Sequence, residues 1–399
     1  MVRSTARLSV LLALMVYLPA FGQEAGSTAI PFPGGAVPPI TITVPGGYLL
    51  EVPNITAPVT GAPLIIIGAP PAGAPFQHVV IDLNGYALDN TANPGFPVIV
   101  YPGGAPAEIV IKNGTIIGGS DGIAVTGGAT KVVIENVRIA GGTANGIHLT
   151  SPANLIIRHN VISGAAGGGA GILIDAPVAA VARHGTIEEN LISGTINGIV
   201  VTGGGAVLRS SLIIQKNQLN QITSGPFPAA ISLFNAEPCL VSENTIEGVS
   251  GAVGGASGIF GSDVEGCKFV NNVMSDVSGN GIWLTGPAGI PSQDNLLIHN
   301  IVRGAGLDGI LIGGGGGGAR NDIEGNLLHI NGVGGVGFGL HFLLGAVGNR
   351  IGRNSATGNA GGPAPCAVAG NADYCDENGP IGAVTFSFGD NMMPGPATF

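Results

Sequence analysis

Ten asparagines recur along the 399-residue chain at a nearly even stride: Asn113, Asn136, Asn160, Asn190, Asn217, Asn244, Asn272, Asn300, Asn326 and Asn354. The gaps run from 23 to 30 residues, and an apolar run follows most of these residues. A second beat keeps step with the first. It is a small residue followed by an aliphatic one, seen at Gly122-Ile123, Gly146-Ile147, Gly171-Ile172, Gly198-Ile199, Ala230-Ile231, Gly258-Ile259, Gly281-Ile282, Gly309-Ile310 and Gly339-Leu340. Self-similarity at a period of about 20–50 residues marks a stacked repeat, in which each unit buries its apolar face only against its neighbours.

Between the beats lie short aliphatic runs such as Ile109-Val110-Ile111, Leu155-Ile156-Ile157 and Leu212-Ile213-Ile214, bounded by Gly, Asn, Ser or Thr. Such runs read as strands ended by turns, and no window carries the capped 3.6-residue periodicity of a helix. A repeat averaging about 27 residues, with about three short strands and no helix, suits a parallel β-helix better than a leucine-rich or helical solenoid. The predicted fold is all-β: one single-stranded parallel β-helix solenoid of about ten to twelve coils. Glycine is abundant at 71 residues, but without a Gly-X-Y period collagen is excluded, and 45% hydrophobic residues are too many for a disordered chain.

The paired beats Asn145-Gly146-Ile147 with Asn160-Val161-Ile162, and Asn280-Gly281-Ile282 with Asn300-Ile301-Val302, resemble the right-handed parallel β-helix family of pectin-lyase-like fold. The segment Ile81-Asp82-Leu83-Asn84-Gly85-Tyr86 is similar to a first-coil signature of that family, and the resemblance covers roughly residues 40 to 370. It implies a right-handed helix. It implies no single activity, because the family holds lyases, hydrolases, epimerases and non-catalytic members.

In register, the Asn column can form an amide ladder, and Asn also tolerates the left-handed backbone of a sharp turn. The second-beat glycines read as turn residues, and Gly313 to Gly318 as a flexible loop. The residues just before each ladder Asn (Lys112, Glu135, His159, Glu189, Lys216 and Glu243 among them) mostly alternate in sign, so opposite charges should face each other between coils. His159 with Glu189 is a minor catalytic candidate in that column.

Residues 1–22 carry Arg3 and Arg7, an apolar run from Leu8 to Leu18, and Ala20-Phe21-Gly22, which together read as a cleaved signal peptide. The expected organisation is a signal peptide over 1–22, a Pro-rich linker or cap over 23–40, the β-helix over 41–359, and a C-terminal cap or tail over 360–399. The mature chain is expected to be secreted or periplasmic, with no membrane span. In an oxidising compartment its four cysteines should pair. Cys239 and Cys267 each stand five residues before a ladder Asn, the same place in consecutive coils, within disulfide reach at a strand spacing of about 4.8 Å. Cys366 and Cys375 remain to close a small loop.

With 14 Lys and Arg against 24 acids, the chain lacks the basic face that nucleic acid requires. Enzymes of the resembling family work on an outer face of the coil, and pectate lyases among them use clustered acids for calcium with an Arg or Lys base. Here Asp175 and Asp263 lie several coils apart, so no calcium cluster is seen, and neither metal nor cofactor is expected. The adjacent aspartates of polygalacturonase-like hydrolases and the Asp-Pro-His of mannuronan epimerases are missing too. No catalytic residue is assigned.

Strand alternation after the second beat points Ala124, His148, Leu173, Val200, Ser232, Phe260, Trp283, Leu311 and His341 outward on one face. His148, Phe260, Trp283 and His341 are the candidate substrate-binding residues, with Trp283 the sole tryptophan of the chain. Aromatic rings on such a face can stack on sugars, or lie under a covering loop. The reading is an exported monomer that binds or processes polysaccharide or cell-surface glycan, lyase-like if it is an enzyme. The alternative is a non-catalytic structural or adhesive surface protein.

Overall fold

The computed structural model describes residues 27–30, 39–68, 77–103, 107–165, 169–176, 183–203, 208–223, 229–251, 256–287, 289–315, 317–333, 337–359, 374–378 and 385–388. The expected signal peptide and Cys366 lie outside them. The described residues form no helix, and every strand pairing is parallel. Each coil contributes to three faces. One coil runs through Asn154–Arg158 on the first face, Val161–Ser163 on the second and Ala170–Ala176 on the third. The first two faces belong to one 24-stranded sheet and the third is a sheet of 13 strands. In the early coils one strand bends across the first corner, as Ala107–Gly118 and Lys131–Ala140 do.

The interior is a set of aliphatic stacks. On the third face Ile147, Ile172, Ile199, Ile231, Ile259, Ile282 and Ile310 sit directly above one another, each with no exposed surface. Fully burying one such side chain contributes about 1.5–3 kcal/mol. Because the β-branched shape repeats in every coil, like packs on like and the register is held.

The amide ladder forms over Asn160, Asn190, Asn217, Asn244, Asn272, Asn300, Asn326 and Asn354, all buried at the corner between the first two faces. The Nδ2 of Asn160 donates to the Oδ1 of Asn190 at 3.0 Å, and the pattern repeats to Asn354. Asn113 and Asn136 do not belong to this ladder. Register pairs Gly114 with Val137, and it is the Val137 amide that donates to Asn160 Oδ1 at 2.9 Å. Asn113 and Asn136 stand one residue earlier, at the left-handed turn, with φ of 59° and 55°. The two roles expected of one Asn are thus divided: the ladder residue carries the amide, and its predecessor carries the left-handed backbone. His159, Glu189, Lys216, Glu243, His299 and Arg353 hold that strained position in later coils.

This shift also corrects the expected charge column. Lys112 and Glu135 face each other in register as expected, but their column continues through Asp82 and Arg158 instead of His159, with ion pairs Lys112–Asp82 at 3.7 Å and Arg158–Glu135 at 2.7 Å. His159 and Glu189 do meet, at 2.6 Å, with both side chains nearly half exposed on the corner.

The second-beat glycines are not turn residues either; none of those from Gly122 to Gly309 has a left-handed φ. Close approach accounts for them in most coils, and Ala230 holds the same place with a Cβ in one. A Cβ on Gly146 would lie 2.6 Å from the carbonyl oxygen of Gly171 in the next coil, and one on Gly281 2.5 Å from that of Gly309. A second, shorter amide ladder, Asn295–Asn321–Asn349, fills another corner at the same stride, which the sequence reading did not single out. At the far end of the second face, Gly118, Gly141, Gly164 and Gly194 are left-handed, and in later coils Ile330 takes such a conformation at φ 52°.

Cys239 and Cys267 form the expected disulfide between neighbouring coils, with Cα atoms 4.4 Å apart. Cys375 is also disulfide-bonded. Strand pairing continues outside 41–359: Thr28–Ala29 pairs with Gly46–Leu49, Tyr374–Asp376 extends the third face and Thr385–Phe388 the first. Among the described residues no helix is long and apolar enough to cross a membrane.

Candidate functional site

The third face places the predicted outward column in one unbroken register. Ala124 pairs with His148, then Leu173, Val200, Ser232, Phe260, Trp283, Leu311 and His341 follow on successive strands. Ala124, Ser232 and Leu311 are buried, while His148, Phe260, Trp283 and His341 are half-buried. The strip is therefore neither fully open nor sealed.

Its centre is aromatic. The Phe260 ring lies 5.1 Å from Trp283, edge on at 75°, and 5.4 Å from Phe234, tilted by 56°. Phe234 belongs to the neighbouring outward column, two residues further along its strand, and sequence periodicity along a single column misses it. The Trp283 indole Nε1 donates to the Gly313 carbonyl at 3.3 Å, which fixes the ring against the next coil. Gly313 is thus a strand residue rather than part of the expected flexible loop.

The second column supplies polar groups beside the rings. It runs Thr150, Asp175, Thr202, Phe234, Ser262 and Thr285 on consecutive strands. Thr202 donates from its hydroxyl to the Asp175 carboxylate at 2.9 Å, and Thr285 to the Gly314 carbonyl at 3.0 Å. Asp263 follows Ser262 at a left-handed corner, where burial and then the charge of Glu265 push its carboxyl pKa upward.

The two histidines do not join the rings. His148 is four strands from Phe260, about 19 Å at about 4.8 Å per strand. Its buried Nε2 has no hydrogen-bond partner among the described residues. His341 is clamped: Nδ1 meets Asp308 at 3.0 Å and Nε2 meets Glu377 at 3.3 Å, with Phe338 packed at 4.9 Å. Burial disfavours its charged form, but the hydrogen bonds and charges of the two carboxylates outweigh that and raise the imidazole pKa. Both ring nitrogens are therefore occupied, Nδ1 by Asp308 of the preceding coil and Nε2 by Glu377 of the C-terminal segment. Among the described residues no group of three or more His, Cys, Asp or Glu is arranged to hold a metal ion.

The family described as a right-handed β-helix region matches residues 91–246 and 178–328, together more than half of the chain. The chain belongs to the right-handed β-helix family. No curated protein matches it. Two solved structures are similar to the chain at low identity. A DFA-IIIase from Arthrobacter chlorophenolicus A6, in complex with GF2, is 11% identical over 87% of this chain and 89% of its own, with a TM-score of 0.36. The A-module of the mannuronan C-5 epimerase AlgE6 from Azotobacter vinelandii is 14% identical over 80% and 91%, with a TM-score of 0.33. At such values the likeness carries no chemistry to this β-helix.

Proposed function

We propose that this right-handed β-helix is an exported protein that engages polysaccharide on its third face, with the sugar chain laid along the rod across Phe234, Phe260 and Trp283. One observation carries the reading: three rings on three consecutive strands of one outer face, Phe234 and Trp283 each in contact with Phe260 between them, with hydroxyls and a carboxylate in the neighbouring column. Aromatic contacts of this kind add about 0.5–1.5 kcal/mol each beyond the area they bury, and hydroxyls beside them orient a ligand. Export follows from the basic-apolar-small pattern of residues 1–22 and agrees with the disulfide between Cys239 and Cys267.

The reading is binding rather than turnover. A lyase-type activity would need a basic side chain beside the bound sugar. On this strip the imidazole of His341 is held between two carboxylates and that of His148 is three strands from Phe234, the nearest ring.

The test is titration of the mature protein with soluble oligosaccharides, followed by calorimetry and, in the unaltered protein, by Trp283 fluorescence. Saturable binding is expected, and Trp283→Ala should weaken it by about tenfold or more, as removal of a central aromatic anchor does, with only a small fall in melting temperature from the lost Phe260 contact. A Trp283→Ala variant that binds normally but melts several degrees lower would make the strip a packing feature and end this proposal. New near-ultraviolet absorbance from an unsaturated product would show lyase activity and refute the reading of binding alone.

A further inference from the structure

None of the thirteen strands of the third face contains a lysine or an arginine. Beyond Arg3 and Arg7, every Lys and Arg of the chain lies on strands of the 24-stranded sheet or at corners adjoining them. Several are neutralised there by acids of the next coil: Lys131 by Glu108 at 2.6 Å, Arg158 by Glu135 at 2.7 Å, and Arg320 by Asp294 at 2.6 Å. Among the described side chains none on the aromatic strip is such a cation. Its ionisable neighbours are Asp175, held by Thr202, Asp263 at the adjoining corner, and His341 between its two carboxylates.

This distribution decides which sugars fit. A polyuronate or sulfated chain brings a negative charge on nearly every residue, and binding it means desolvating those charges without a cation to replace the water. The carboxylates bordering the strip would add repulsion, screened only beyond about 10 Å at 0.1 M salt. A neutral sugar meets neither cost. Its C–H face packs on the rings, and its hydroxyls find Asp175, Thr202, Ser262 and Thr285 in the column beside them. We propose that the strip takes a neutral polysaccharide, of glucan, mannan or xylan type, and discriminates against acidic chains. This rests on the glycan-binding reading above and adds the substrate class.

The test uses the full mature protein and hexasaccharides of both kinds, neutral (cello-, manno- and xylohexaose) and acidic (oligogalacturonate and oligomannuronate), read by Trp283 fluorescence and calorimetry. At least one neutral hexasaccharide is expected to bind saturably and to lose about tenfold or more in affinity with Trp283→Ala, while neither acidic chain binds. Ser262→Lys, which puts a cation beside Phe234 and Trp283, should then create oligogalacturonate binding that fades with added salt. Circular dichroism melts of both variants keep folding separate from recognition. Trp283-dependent binding of an acidic chain by the unaltered protein would overturn the neutral assignment while leaving the glycan reading in place. No binding of any hexasaccharide would overturn both, and a concentration-dependent dimer broken by Trp283→Ala would then assign the strip to a second copy of the chain.

Discussion

Replacing Asn217 by alanine removes an inner rung of the amide ladder. Asn217 has no exposed surface. Its Oδ1 accepts both the backbone amide of Asn190 at 3.1 Å and the Asn190 side-chain amide at 3.0 Å. Its Nδ2 donates to the Ile187 carbonyl at 2.9 Å and to Asn244 Oδ1 at 3.0 Å. Alanine leaves two buried donors without their acceptor and takes a donor from two acceptors. A buried group left unpaired costs about 1–3 kcal/mol, so Asn217→Ala should destabilise by about 3–6 kcal/mol. Asn217→Asp keeps the shape but turns the donor into a second acceptor facing Ile187 and Asn244, and should be comparably damaging at neutral pH. The control is Asn136→Ala. Asn136 shares the sequence beat but is exposed at the left-handed turn, so only its backbone preference is lost, about 1–2 kcal/mol. Urea titrations of the three variants, followed by far-ultraviolet circular dichroism, give the comparison. Equal midpoints for Asn217→Ala and Asn136→Ala would refute the ladder argument.

Ile330 is exposed and β-branched at φ 52°, so Ile330→Gly should raise stability by about 0.5–1 kcal/mol, the left-handed strain less glycine's chain entropy, seen as a higher urea midpoint. The Cys239–Cys267 bridge spans 28 residues, and the Cys239→Ser, Cys267→Ser double variant should lose about 3.5 kcal/mol on chain-entropy grounds. An unchanged melting temperature would count against that estimate. The His341 pKa is raised in the folded protein, so its pairing with Asp308 and Glu377 is fully stabilising below the ordinary imidazole value of about 6.5 and is lost as pH rises through the raised folded value. Hydrogen exchange at residues 374–378 should therefore speed up across that window, and His341→Gln should abolish the pH dependence.

The fold was legible in the sequence because each coil buries the same side chains in the same places. A stack of isoleucines on one face and of asparagines at one corner must repeat at the coil length, and the outward column from Ala124 to His341 follows from alternation alone. Identity of residue did not reveal identity of role. Asn113, Asn136 and Asn160 keep the beat, yet the first two stand one backbone position earlier than the third, and a one-residue offset exchanges a ladder amide for a left-handed turn. Likewise Gly146 and Gly281 stood out by their recurrence and read as turn residues, whereas close approach to the next coil is what accounts for them.

The meeting of Phe234 with Phe260 joins two columns on adjacent strands, and the clamp on His341 needs Glu377 brought back by the C-terminal strand. Sequence records what recurs along the chain. Contacts between different columns, and between a coil and a distant segment, depend on how far the strands sit from one another and which way each side chain leans, and those quantities exist only once the coils are stacked.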